Sequence, residues 1–148
     1  MRSIARLALI LAASLAASRP APAADELKGD LGKFQGSWTA KVGENDEITV
    51  TMTVKGNAVT AKLDHGNGEV NELKGEMRLN ELASPKTIDF FHFTKGDGED
   101  AKDNLGIYAF EGDKIKICVG GAGNERPTEF KSDSDGTHNL LIFSRKKD

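Results

Sequence analysis

From residue 48 onward the chain alternates apolar and polar positions with a period of two. Ile48, Val50, Met52 and Val54 fall on one side and Thr49, Thr51 and Thr53 on the other, the pattern of a strand with one buried face. Lys55-Gly56-Asn57 turns the chain, and Val59, Ala61 and Leu63 predict the returning strand of a hairpin. His65-Gly66-Asn67-Gly68 marks the next turn, ahead of a weaker stretch from Val70 to Leu79 that carries Leu73, Met77 and Leu79. Ser84-Pro85 restarts the chain into Thr87 to Thr94, where strict alternation sets Ile88 and Phe90 on one face and Phe91 and Phe93 on the other. A strand apolar on both faces is central or lines a cavity. Lys95 to Asn104 is polar, acidic and glycine-containing, which predicts a mobile loop. Leu105 to Phe110 and Lys114 to Val119 form a second hairpin around Glu111-Gly112-Asp113, and Leu140 to Ser144 is the last strand.

With a short strand around Trp38, the count is about eight antiparallel strands and no helix longer than a turn or two. The fold class is therefore all-β. Sequential hairpin-linked strands favour an up-and-down barrel, because closure removes the open edges through which sheets aggregate. A β-sandwich is the alternative.

The first residues break this pattern. Arg2 and Arg6 precede the apolar run Leu7 to Ala17, and Ala21-Pro22-Ala23 has the small-x-small form a signal peptidase cleaves. Residues 1–23 are thus expected to be a signal peptide and residues 24–148 a single domain, exported to the periplasm or the cell exterior. The apolar run is short for a bilayer core of about 30 Å, and no later stretch approaches the length of a spanning helix. Without Arg2, Arg6 and Arg19 the basic side chains number 17 against 23 acidic ones, a balance that disfavours nucleic acid as a partner. Cys118 is the single cysteine, so no internal disulfide staples the domain, and a buried, inert thiol is expected.

Candidate chemistries narrow quickly. Lys131-Ser132-Asp133-Ser134-Asp135-Gly136 resembles a calcium loop, but lysine stands at its first ligand position and Ile142 at its twelfth, so a solvated turn is expected. His65, His92 and His138 have no metal-ligand spacing. Gly120-Gly121-Ala122-Gly123 lacks the following helix and the Lys-Ser/Thr pair of a phosphate loop. Asp89 and His92 are the best acid and base on offer, yet three residues apart on a regular strand they face opposite ways. No enzyme, metal or cofactor is expected.

Asp89 lies among apolar neighbours in a strand, where an unpaired carboxylate is costly, so it requires a partner. Arg126, in the stretch Asn124-Glu125-Arg126-Pro127-Thr128-Glu129-Phe130, is the candidate, with Tyr108 able to add a hydroxyl. Pro127 biases Arg126 towards extended geometry and Phe130 offers an apolar anchor. The group is either an ion pair that pins a long connection, the reading given more weight, or a polar grip in a pocket lined by Phe90, Phe91, Phe93, Phe110 and Phe130.

Three stretches carry a resemblance: Phe34-Gln35-Gly36-Ser37-Trp38-Thr39-Ala40, Ser84-Pro85-Lys86-Thr87-Ile88-Asp89-Phe90, and the run from Gly106 to Val119 followed by Glu125 to Phe130 and the terminal Leu140 to Lys146. In this order they resemble a family of small, uncharacterised exported domains abundant in planctomycete bacteria, with a lipocalin-like cast. Gly36-Ser37-Trp38 is also similar to the Gly-x-Trp that opens lipocalin barrels. That resemblance implies that Trp38 plugs one end of the barrel and that Arg145, near the end of the last strand, lies over its indole. It departs from lipocalins in having no flanking helix and no disulfide. The function expected is binding of a small apolar or amphipathic molecule by a monomeric barrel. The alternative is a structural or protein-interaction module of the cell envelope with a filled interior and no ligand.

Overall fold

Period-two alternation is realised as a closed, eight-stranded, antiparallel up-and-down β-barrel. The computed structural model describes residues 27–95 and 102–147. The signal-peptide segment and residues 96–101 of the expected polar loop lie outside them. The elements are helix α1 (Asp30–Phe34) and strands β1 (Gly36–Val42), β2 (Ile48–Lys55), β3 (Ala58–Asp64), β4 (Val70–Asn80), β5 (Thr87–Lys95), β6 (Asn104–Glu111), β7 (Lys114–Gly120) and β8 (His138–Arg145). Each strand pairs with the next, and β8 returns to β1. This is the architecture of a lipocalin-like barrel.

Alternation decides which side chains enter the barrel. Trp38 and Ala40 of β1, Val50, Met52 and Val54 of β2, Val59 of β3, Met77 of β4 and Ile115 and Ile117 of β7 are buried together, while the threonines between Val50 and Val54 face out. Gly56 takes a positive φ of 63° in the two-residue turn between β2 and β3, a conformation the missing Cβ permits.

The strands alternate between two ends. One end gathers α1, the turns at residues 56–57, 81–86 and 112–113, and Arg145; the other gathers the connections at residues 43–47, 65–69 and 121–137. The α1 end is plugged. Phe34 is fully buried and packs edge-on against Tyr108 and Phe110, with ring centroids 5.3 and 5.2 Å away. Trp38 donates its indole N–H to the Phe34 carbonyl at 2.8 Å. The Gln35 side chain donates to and accepts from the Gly56 backbone, both at 2.8 Å, which ties the plug to the β2–β3 turn.

One strand departs from the alternation. Phe91 pairs with Glu76 and Thr94 with Lys74, so His92 and Phe93 stand opposite the single residue Gly75. This is a β-bulge, with His92 at a φ of 54°. It corrects the expected facing of β5. Phe93 joins Phe90 inside the barrel, their centroids 5.8 Å apart, and Phe91 alone stays outside, under the guanidinium of Arg78. Gly75 makes the inward turn possible, since a Cβ there would lie 2.6 Å from the Phe93 ring.

The β1–β8 seam is short. Only Trp38 with Arg145 and Thr39 with Ser144 are in register, whereas β1 holds seven register pairs with β2. The seam is fastened beside the plug and continues towards the open end without shared register.

Candidate functional site

The interior is filled at the α1 end and hollow at the other. A cavity of about 410 Å³ opens there, walled by Val50, Leu63, Leu73, Phe90, Phe93, Leu141 and further aliphatic side chains. Residues from seven of the eight strands contribute, with Ala122 from the connection after β7. Asn104, the first residue of β6, is the single polar side chain in the lining among the described residues. Its amide N–H donates to the Gly120 carbonyl at 3.0 Å. An apolar, concave space of this size, with very few polar groups, is the form that small-molecule sites take.

Of the residues expected at a site, Phe90 and Phe93 line this cavity. The polar members do not join them, and the sequence-based grouping is corrected on this point. Asp89 and Arg126 do come together, with nitrogen and oxygen 2.7 Å apart, but on the outer wall of the barrel, because Asp89 has the opposite parity to the inward-facing Ile88. Tyr108 faces the interior at the plugged end, and its hydroxyl donates to Asp30 at 2.8 Å. Phe110 belongs to the same plug, and Phe130 lies outside beneath the ammonium of Lys116.

The Arg126 cluster holds the long connection to the outer wall. Arg126 donates to the Gly106 carbonyl at 2.7 Å, Cys118 donates its thiol to the Lys131 carbonyl at 3.4 Å, and Ser132 accepts from the Leu140 amide at 2.9 Å. Ile107 and Cys118, paired across β6 and β7, point outward yet are buried, as is Pro127. Burial raises the Cys118 pKa, with the Asp133 charge adding to it, against a smaller opposing effect of its hydrogen bond to Lys131. The Asp89 Oδ1 contact with Arg126 is close but poorly aligned for a hydrogen bond, so the pairing is chiefly coulombic. A second cation, Arg78, stands 3.4 Å from Oδ2.

Trp38 and Arg145 meet at the seam, the guanidinium carbon 4.3 Å from the ring centroid. Arg145 also donates to the carbonyls of Gln35 at 2.7 Å and Lys33 at 3.2 Å. One side chain therefore covers the indole and satisfies the carbonyls that the end of α1 leaves free.

A centre with no counterpart in the sequence-based expectations is Asp30. The residue is 2% exposed, and its carboxylate gathers Lys86 at 2.8 Å, Lys33 at 3.4 Å and the Tyr108 hydroxyl, while its backbone N–H donates to Glu81. Burial pushes its pKa up, but hydrogen bonds from Lys86 and Tyr108, the Lys86 charge and the bond from Lys33 outweigh this and hold it below the ordinary aspartate value. Tyr108 is driven the other way, first by burial and then by Asp30, so it remains a neutral donor. Helix α1 is too short to show a hydrophobic period, which is why Asp30 carried no signal in the sequence.

The histidines hold separate partners: Asn71 for His65, Glu76 for His92 and Asp133 for His138. Asp89 and His92 do not pair. Among the described residues no group of three or more His, Cys, Asp or Glu side chains is placed to hold a metal ion, and no helix is long and apolar enough to cross a membrane. Comparison of the chain with known protein families, with curated proteins and with solved structures found no match, so what is shown of this protein is its fold, a closed lipocalin-like barrel with one hollow end.

Proposed function

We propose that this chain is an exported barrel that takes one small apolar or amphipathic molecule into its open end, as the resemblance to small exported planctomycete domains also suggests. The observation that carries the proposal is the cavity of about 410 Å³ in which, among the described residues, only Asn104 is polar. Each methylene drawn from water into such a space contributes about 0.8 kcal/mol, so a chain of roughly eight carbons gains about 6 kcal/mol before the cost of immobilisation. Catalysis has no part in the proposal. The buried Cys118 thiol faces a backbone carbonyl, and the buried Asp30 carboxylate is committed to the plug.

The test is native mass spectrometry of the processed protein purified gently from its own cell envelope. A bound species released by denaturation is expected, and it should be absent from a folded Ala61→Phe variant, whose new ring occupies the cavity. A clean unliganded mass, together with no uptake of a neutral apolar fluorophore, would overturn the proposal.

A further inference from the structure

We infer that the cavity selects an uncharged ligand bearing a hydrogen-bond donor, an alcohol or an N–H group, and that Asn104 is the residue that reads it. The inference rests on the cavity being a ligand site, as proposed above. Two observations carry it: the composition of the wall and the fixed orientation of one amide.

Among the described residues no Lys, Arg, His, Asp or Glu side chain lines the cavity. An ionised group drawn into such a wall loses its hydration without gaining a partner, so the part of the ligand that enters is neutral. That excludes a buried carboxylate or phosphate and leaves alkyl chains, alcohols, amides and ethers.

The Asn104 amide then discriminates among these. Its nitrogen donates to the Gly120 carbonyl at 3.0 Å, and rotating the amide by half a turn would set oxygen against oxygen. The orientation is therefore locked, and Oδ1 is the atom left for a ligand. Among the described residues Oδ1 has no hydrogen-bond donor of its own. A hydroxyl or N–H at that height donates to it; an ether or ester oxygen meets acceptor with acceptor, and a carboxylate is repelled. The lock is also built into the fold, since Asn104 opens β6 and Gly120 closes β7 at the rim of the cavity.

The experiment is calorimetric titration of the protein with decanol, with decyl methyl ether and with decanoate, three probes of similar apolar length that offer a donor, a neutral acceptor and a charge. Decanol is expected to bind about fivefold or more tighter than the ether, the ratio one net hydrogen bond supplies, and decanoate to bind weakest. In Asn104→Leu the preference of decanol over the ether should vanish while the ether still binds. Ether or decanoate binding as tightly as decanol would overturn the inference and leave the cavity reading standing. Failure of all three probes to bind would overturn the proposed function and the inference with it. The decisive comparison is made on the unaltered chain, so it does not depend on the variant folding.

Discussion

Arg145 and Asp30 close the plugged end by different physics. The Arg145 guanidinium is largely exposed, and its worth comes from stacking on Trp38 and from two carbonyls it alone reaches. Replacing it with alanine should cost about 1–2 kcal/mol, read as a fall in Tm of roughly 3–8 °C, with a shift in Trp38 emission as the indole gains water. An unchanged spectrum and Tm would remove its role in closure. Asp30 contributes through ionisation. Its folded pKa lies below the ordinary value, so its stabilisation is fully present above the unfolded aspartate range and is lost as pH falls through the folded pKa. Stability should therefore drop on the acid side below about pH 4, and Asp30→Asn should flatten that limb in urea titrations at several pH values while lowering stability at neutral pH.

At the scale of elements, the long connection after β7 and the bulge in β5 show where local pattern stops being informative. Alternation located β2 and β3 because each has one wet and one dry face, and side chains then follow backbone parity, whereas the outer faces of β6 and β7 are partly covered at Ile107 and Cys118. Parity also required a partner for Asp89, and Arg126 supplies it. It failed at His92, where a positive φ inserts one residue and reverses the facing of Phe93; nothing in the aromatic run from Phe90 to Phe93 announces that insertion. Tyr108 was misplaced for a related reason. Its inward face follows from alternation, but which end of the barrel it reaches depends on α1, a single turn without periodicity. The Arg126 cluster belongs to the outer wall, so its removal should act on the fold and spare the cavity. Arg126→Ala is expected to cost about 2–3 kcal/mol by leaving the Asp89 charge poorly compensated, to recover in part with Asp89→Asn, and to leave ligand affinity unchanged. Loss of binding without loss of stability would place the site on the outer wall instead.

For the molecule as a whole, order is concentrated at one end and vacancy at the other. The plug spends its polar groups on one another: the Gln35 amide on a turn, the Tyr108 hydroxyl on Asp30, the Trp38 indole on Phe34. That arrangement lets a chain with a single cysteine form a stable barrel without filling it. The hollow end was legible only in outline, through the doubly apolar β5, because whether side chains fill a small barrel depends on how far each reaches towards the axis.

The short β1–β8 seam makes this barrel a ring fastened on that side near its base. The joint holds two register pairs, Trp38 with Arg145 and Thr39 with Ser144 beside the plug, against four between β5 and β6 and six or seven at every other joint, of which β4–β5 carries the bulge. At the open rim, among the described residues, both β1–β8 and β5–β6 lack shared register, while the base is tied by the plug. The mouth is thus the end of the wall with the fewest cross-strand constraints, and the base the end with the most.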